Sequence, residues 1–355
     1  MSRQTNVHSR NYGCRLLEFI HAGYECIVLE NEKLRVMVVA GKGADIYEFL
    51  YKPLDVDFMW RSPFGLRAQH AGTTPRLAGP HMDHYEGGWQ ELFPNCGAAS
   101  VHQGAELGQH GEVLMLPWTY TVTRDTPDEI QVRFEVRTIR TPFHLARTMS
   151  LKRGESALWI SEIVTNEGGQ SVDFTWGHHP VLGAPFVQEG CRVHLGSCQI
   201  RTTAEYTPET SRLKPDQVSD WPFAEGRDGR KVDISAIAGP EALSHDMVFL
   251  EEAIDGWYAV TNPALNLGFG LSYPAELFKV LWYWQVYRGA YGYPWWGATY
   301  NVALEPCATM PVLARAAERG DAISLGPGES RHARLAAVAF EGADTAREVQ
   351  CRYSG

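Results

Sequence analysis

The chain has 355 residues, 44% of them hydrophobic and 21% charged, which is ample for a buried core and far from the composition of disordered proteins. Its 42 acidic residues outnumber the 32 basic ones for a formal net charge of −10, and Lys and Arg are scattered rather than clustered, so a nucleic-acid partner is excluded and a neutral or weakly charged small molecule fits better. Met1 is followed by the polar SRQTNVHSRNYG, and no apolar run of about 18 residues occurs, so neither a secretory signal nor a membrane partner is expected and the reading is cytoplasmic.

Taken in chain order, short strand-like runs recur at 34–39, 44–50, 118–124, 130–137, 157–165, 172–176, 257–261, 267–273, 298–305 and 333–340, separated by stretches that contain Gly, Pro, Asn or Asp. In the stretch QVRFEVR at 131–137, Val132, Phe134 and Val136 share one face and polar residues the other, as a half-solvated antiparallel strand requires. The turns KRGES (152–156) and NEGGQ (166–170) offer Gly for positive φ, which predicts a three-strand meander over 143–176. One short helix is expected at 311–319, with Pro311 at its start and Gly320 just past its end. No Ser/Gly-rich or Pro-rich linker, long repeat or low-complexity tract divides the chain, so 1–355 reads as a single all-β domain with few helices. Seven cysteines, an odd number without a CxxC pair, read as free and mostly buried thiols rather than as a disulfide framework or zinc knuckle.

Polar, titratable and aromatic residues gather among small turn-formers at 79–97 (GPHMDHYEGGWQELFPNCG), 109–118 (QHGEVLMLPW), 174–186 (FTWGHHPVLGAPF) and 300–306 (YNVALEP), and more weakly at 244–250 (SHDMVFL). The 11 Trp and 15 Tyr supply flat apolar faces that suit sugar C–H faces and equally suit a large core. Trp89, Trp176, Trp282, Trp284, Trp295 and Trp296 lie in or beside these segments, and at least one is expected to line a ligand cleft. His81, Asp83 and His84, with His102 and His110, are ligand types for a divalent metal, but their spacing matches no zinc pattern, so no metal is expected. Without a GxGxxG fingerprint or P-loop, no organic cofactor is expected either.

The order of HG (110–111) followed by PW (117–118), GHHP (177–180), LEP (304–306) and LGPGES (325–330) resembles the aldose 1-epimerase family of the galactose mutarotase-like superfamily, over about residues 30 to 340. The resemblance implies a β-supersandwich of mostly antiparallel strands with a sugar cleft on its concave face. It also implies interconversion of the α and β anomers of a hexose or hexose derivative, by a monomer or homodimer. That chemistry needs a base for the C1 hydroxyl proton and an acid for the ring oxygen, and nothing more.

By this resemblance Glu305 is the base, His179 the acid, and His110 a ligand to the ring oxygen or a neighbouring hydroxyl. A carboxylate beside His179 would raise its pKa and keep it protonated. His178 faces the other way if the segment is extended, so one of the pair is structural, and which one stays open. Asp246 resembles the family's hydroxyl-accepting carboxylate, with Asp255 nearby in sequence. One departure concerns GGWQELFPN at 87–95, which lacks the substrate-contacting Arg that many members carry in a Gly-rich turn before HG. Trp89, Gln90, Glu91 and Asn95, or Arg76 from the preceding loop, are the residues left for that edge of the site, and His178 and Trp176 complete the candidate binding set. Two other readings stay open: a different carbohydrate-processing enzyme on this architecture (an epimerase at another carbon, a lyase or a glycoside-processing enzyme), and a catalytically silent sugar-binding protein.

Overall fold

The computed structural model describes residues 10–69, 81–251, 255–310, 312–342, 346 and 349. Alternation of side chains explains its strands directly: Glu129–Arg137 buries Ile130, Val132, Phe134 and Val136 and leaves the residues between them wet. Among the described residues such strands assemble into a twelve-stranded and an eight-stranded sheet, with three two-stranded ribbons beside them. All the strand pairs are antiparallel, as an all-β fold of hairpins and crossovers demands.

The two large sheets pack face to face. Val132, Phe134, Met149, Leu158 and Ile160 of the smaller sheet enter one core cluster with Ile27, Leu29, Val36, Phe49, Tyr283, Val302 and Leu304 of the larger. The larger sheet therefore has an inner face turned to its partner and an outer face turned away, and residue parity along each strand decides which face a side chain joins.

All ten expected strands are present, most of them displaced by one to three residues at their ends. The meander is corrected in its last member. Phe143–Lys152 and Ala157–Asn166 pair as expected, but Val172–Phe174 leaves the sheet and pairs with Ile323–Leu325. The helix runs Leu313–Arg319 and ends on Gly320 at φ 77°, whose N–H reaches back to the carbonyls of Ala316 and Ala317. Cys14, Cys26, Cys96, Cys191, Cys198 and Cys307 are free and buried. No helix among the described residues is long and apolar enough to cross a membrane.

Candidate active site

Four neighbouring strands of the larger sheet, Gly177–Leu182, Tyr300–Cys307, Val280–Tyr287 and Ser244–Glu251, make a floor on its outer face. The register that joins Gly177 to Cys307 and Val181 to Ala303 sets His179 directly opposite Glu305. His179 Nε2 lies 3.4 Å from Glu305 Oε1, and its Nδ1 lies 3.4 Å from the Tyr85 hydroxyl. Both groups are buried, and Glu305 Oε2 has no hydrogen-bond partner among the described residues. They share a cleft of about 370 Å³ with His110, Tyr85, His245, Trp282, Trp284 and Trp295. A larger hollow of about 920 Å³ lies over Trp159, Thr148 and Ser150 on the outer face of the smaller sheet. Its charged and imidazole side chains, Asp255, Glu276, His332 and Arg334, are exposed, whereas those of the smaller cleft are buried or half-buried.

Burial, with a smaller contribution from Cys96, pushes the Glu305 carboxyl well above the usual carboxylate range. Burial also lowers His179, to about 4. The expectation that a neighbouring carboxylate keeps His179 protonated is thereby corrected: burial disfavours the charged form of each group, so both shifts favour a neutral imidazole beside a protonated carboxyl.

His110 occupies the left-handed region at φ 62°, and its Nδ1 accepts the Gly97 N–H at 3.1 Å. A neutral ring held that way carries its proton on Nε2. Burial, and then the nearness of His179, hold His110 well below the ordinary imidazole range. The turn depends on Gly111, at φ 83°, where an added Cβ would sit 2.2 Å from the Phe93 carbonyl oxygen. Gly111→Ala is expected to destabilise the fold by about 1–3 kcal/mol, because a side chain there is strained and obstructed at once. Gly104→Ala, at φ 83° with nothing within 4 Å, should cost less in the same denaturant melts. Equal losses for the two variants would remove the clash from the argument.

A family model described as a domain of unknown function, DUF4432, matches residues 21–338. The chain belongs to the DUF4432 family. No curated protein sequence matches it. Solved structures similar to this DUF4432 chain include a protein from Klebsiella pneumoniae subsp. pneumoniae MGH 78578, provisionally named an aldose 1-epimerase, at 14% identity and TM-score 0.74, covering 96% of this chain and 91% of that one. A galactose mutarotase-like protein from Clostridium acetobutylicum is 14% identical at TM-score 0.63, with 93% and 99% covered. Another from Lactobacillus casei ATCC 334 is 16% identical at TM-score 0.60, with 89% and 100% covered. The fold of this DUF4432 chain is galactose mutarotase-like.

Parity along the strands sorts the remaining candidates of the DUF4432 chain. Pairing of Gly177–Leu182 with Trp89–Leu92 sets His179 beside Gln90 on the outer face and His178 beside Glu91 on the inner face. Trp89, Glu91, Trp176 and His178 are therefore corrected as substrate contacts, since they lie between the sheets. There Trp176 Nε1 donates to Glu91 at 2.7 Å, Trp89 Nε1 approaches His178 Nδ1 at 3.4 Å, and His178 Nε2 lies 3.1 Å from Glu162. Gln90 is on the outer face but fully buried, its amide 3.4 Å from Asp45 beside the buried Lys42. Asn95 is a brace: its amide donates to the carbonyls of Ala98 and Gly108, and its oxygen accepts the Leu313 N–H at the start of the helix. Asp246 faces inward and is taken up by Ser211 and Arg212. Arg76 lies outside the described residues.

Of the metal-ligand types, His102 pairs with Asp173 at 3.0 Å and Asp83 meets the Tyr293 hydroxyl, while His81 packs tilted against Tyr85 and edge-on against His110. No group of three or more such side chains suited to a metal ion is found among the described residues. Tyr85, His81, His245 and Met247 line the cleft without having been singled out for a sugar site. For His245 and Met247 the signal was available, because they flank Asp246 in a strand and one of the two parities had to face the ligand.

Proposed function

We propose that this DUF4432 protein is an aldose 1-epimerase, interconverting sugar anomers with Glu305 and His179 as its proton couple. The observation that carries the reading is their side-by-side placement, 3.4 Å apart on adjacent strands at the floor of one cleft. In a cyclic hemiacetal the two oxygens that exchange protons are bonded to the same carbon. The acid and the base that serve them must therefore stand next to each other rather than across the cleft.

The neutral pair gives the sequence of proton transfers. Glu305 donates its carboxyl proton to the ring oxygen while His179 Nε2 takes the proton of the C1 hydroxyl. The C1–O5 bond breaks as C1=O1 forms, leaving the open-chain aldehyde between a carboxylate and an imidazolium. Rotation about C1–C2 and return of both protons close the ring to the other anomer, and the couple is restored. The resemblance in sequence casts the two residues the other way round. Starting from the neutral pair reverses the order, because the carboxyl holds the proton at the outset. The Nε2–H of His110 is available to a sugar oxygen beside the reacting carbon.

Polarimetry or NMR exchange on purified protein is expected to show anomer interconversion faster than the uncatalysed rate for at least one aldose. Activity requires one proton on the pair. In kcat/KM, which reports the free enzyme, the acid limb should fall where His179 takes a second proton, at about 4, and the alkaline limb where Glu305 loses its own, well above the ordinary carboxylate range. No acceleration with a panel of aldoses would count against the function. A narrow profile between ordinary carboxylate and imidazole values would count against the neutral pair.

A further inference from the structure

We propose that His245, rather than Asp246, reads the sugar hydroxyl at the end of the cleft away from the reacting carbon, so that the substrate lies diagonally across the strands with a C–H face on Trp284. This rests on the anomer-exchange reading of the same cleft.

Three successive cross-strand rows support it. The first is His179, Glu305, Trp282 and Phe249; the second is Val181, Ala303, Trp284 and Met247; the third contains Asn301, Val286 and His245. Each row is two residues, roughly 7 Å, from the next along the strands. From the reacting pair the floor thus runs diagonally over an apolar strip to His245, two rows along and two strands across from Glu305, with Trp284 between them. In the middle strip Ala303 is small and Trp284 stands beside it, half-buried, with its ring 6.1 Å from that of His179 and 6.1 Å from that of His245.

The His245 ring is held in one orientation. An indole N–H only donates, and Trp284 Nε1 lies 2.7 Å from His245 Nε2, so that nitrogen accepts and the proton of the neutral imidazole is on Nδ1. Burial keeps the ring neutral by lowering it to about 4. The result is a fixed N–H donor, matched to a hydroxyl lone pair. Asp246 cannot compete, since one oxygen is held at 2.8 Å by both the Ser211 hydroxyl and the Arg212 N–H, the other at 2.7 Å by the Arg212 side chain, and the carboxylate is fully buried on the opposite face.

The test pairs variants with deoxy sugars. The aldose that the wild-type protein turns over is compared with its 3-, 4- and 6-deoxy analogues on wild type, His245→Leu and His245→Gln, each variant first checked for an unchanged melting temperature. For wild type, one analogue should lose about tenfold in kcat/KM, the order of a single hydrogen bond between neutral groups. In His245→Leu that penalty should vanish, with KM raised and kcat kept, and the amide of His245→Gln should restore part of it. A His245→Leu variant that lowers the parent and every analogue by one common factor, or changes none, overturns the assignment. Should wild type bind sugars without exchanging their anomers, the function falls and the same series, read as dissociation constants, still decides His245. Binding of no aldose at all overturns both.

Discussion

Glu305→Gln is expected to lower anomer exchange by about 10²–10⁴-fold, the contribution of a positioned general acid or base, with little change in KM. The amide matches the carboxyl in shape and cannot give up a proton, so the proton couple is removed without opening a cavity. His179→Asn should act similarly, because the partner must accept as the carboxyl donates. The fold supplies an independent check on the charge state. A carboxyl raised by burial contributes its full share of stability below the unfolded value and loses it as pH climbs toward the folded one. Wild type therefore weakens with rising pH through a window in which the Gln variant has nothing to titrate at this position. Melting temperatures of the two proteins should diverge in favour of the variant as pH rises above the ordinary carboxylate range, a trade of stability against activity familiar at catalytic sites. Were the variant instead to fall behind wild type over that range, Glu305 would be a charged partner of His179 and the neutral couple would be wrong.

The same strands show how far the sequence could be read. The all-β class was legible from alternation and turn residues, as in 130–137, where one face is wet. Glu305, His179 and His110 were legible as motif residues, and they meet in one cleft. The choice between His178 and His179 was not legible, because Gly177–Leu182 is buried on both faces and carries no polar alternation to mark the outer one. Which parity looks outward depends on how the larger sheet lies on the smaller, a contact between segments distant in sequence. Asp246 was misread for the same reason: its residue type suits a sugar, but its register turns it inward and gives the cleft His245. Val172–Phe174 left the expected meander because its partner, Ile323–Leu325, lies about 150 residues downstream, beyond any local signal.

Breaking the polar network between the sheets should have the largest effect on stability. Arg147→Met is expected to cost about 3–5 kcal/mol in denaturant melts at pH 7, because it strands buried carboxylates. Arg147 projects from the smaller sheet to bind Glu162 at 2.7 Å, the Ala44 carbonyl at 2.9 Å and Glu91 of the larger sheet, with its guanidinium 5.0 Å over the Trp118 ring. Burial alone would raise Glu162, but His178 and Arg147 together outweigh it and hold the carboxyl at about 2, while burial and the Glu162 charge push Glu91 up to about 7. Glu162 thus stabilises wild type above the ordinary carboxylate range, and that stability is lost as pH falls toward about 2. Without the guanidinium, one proton must be taken up or one charge left unpaired. Adding Glu91→Gln and Glu162→Gln to Arg147→Met should recover part of the loss, since neutral partners no longer need the cation, and the three effects should therefore be strongly non-additive. Activity should fall in the single variant too. His178 and Glu91 share their strands with His179 and Gln90, so a shift on the inner face moves the reacting imidazole on the outer one. A loss below about 1 kcal/mol, the size of an ordinary surface pair, would mean that the carboxylates are already neutral and that Arg147 holds the sheets by packing alone.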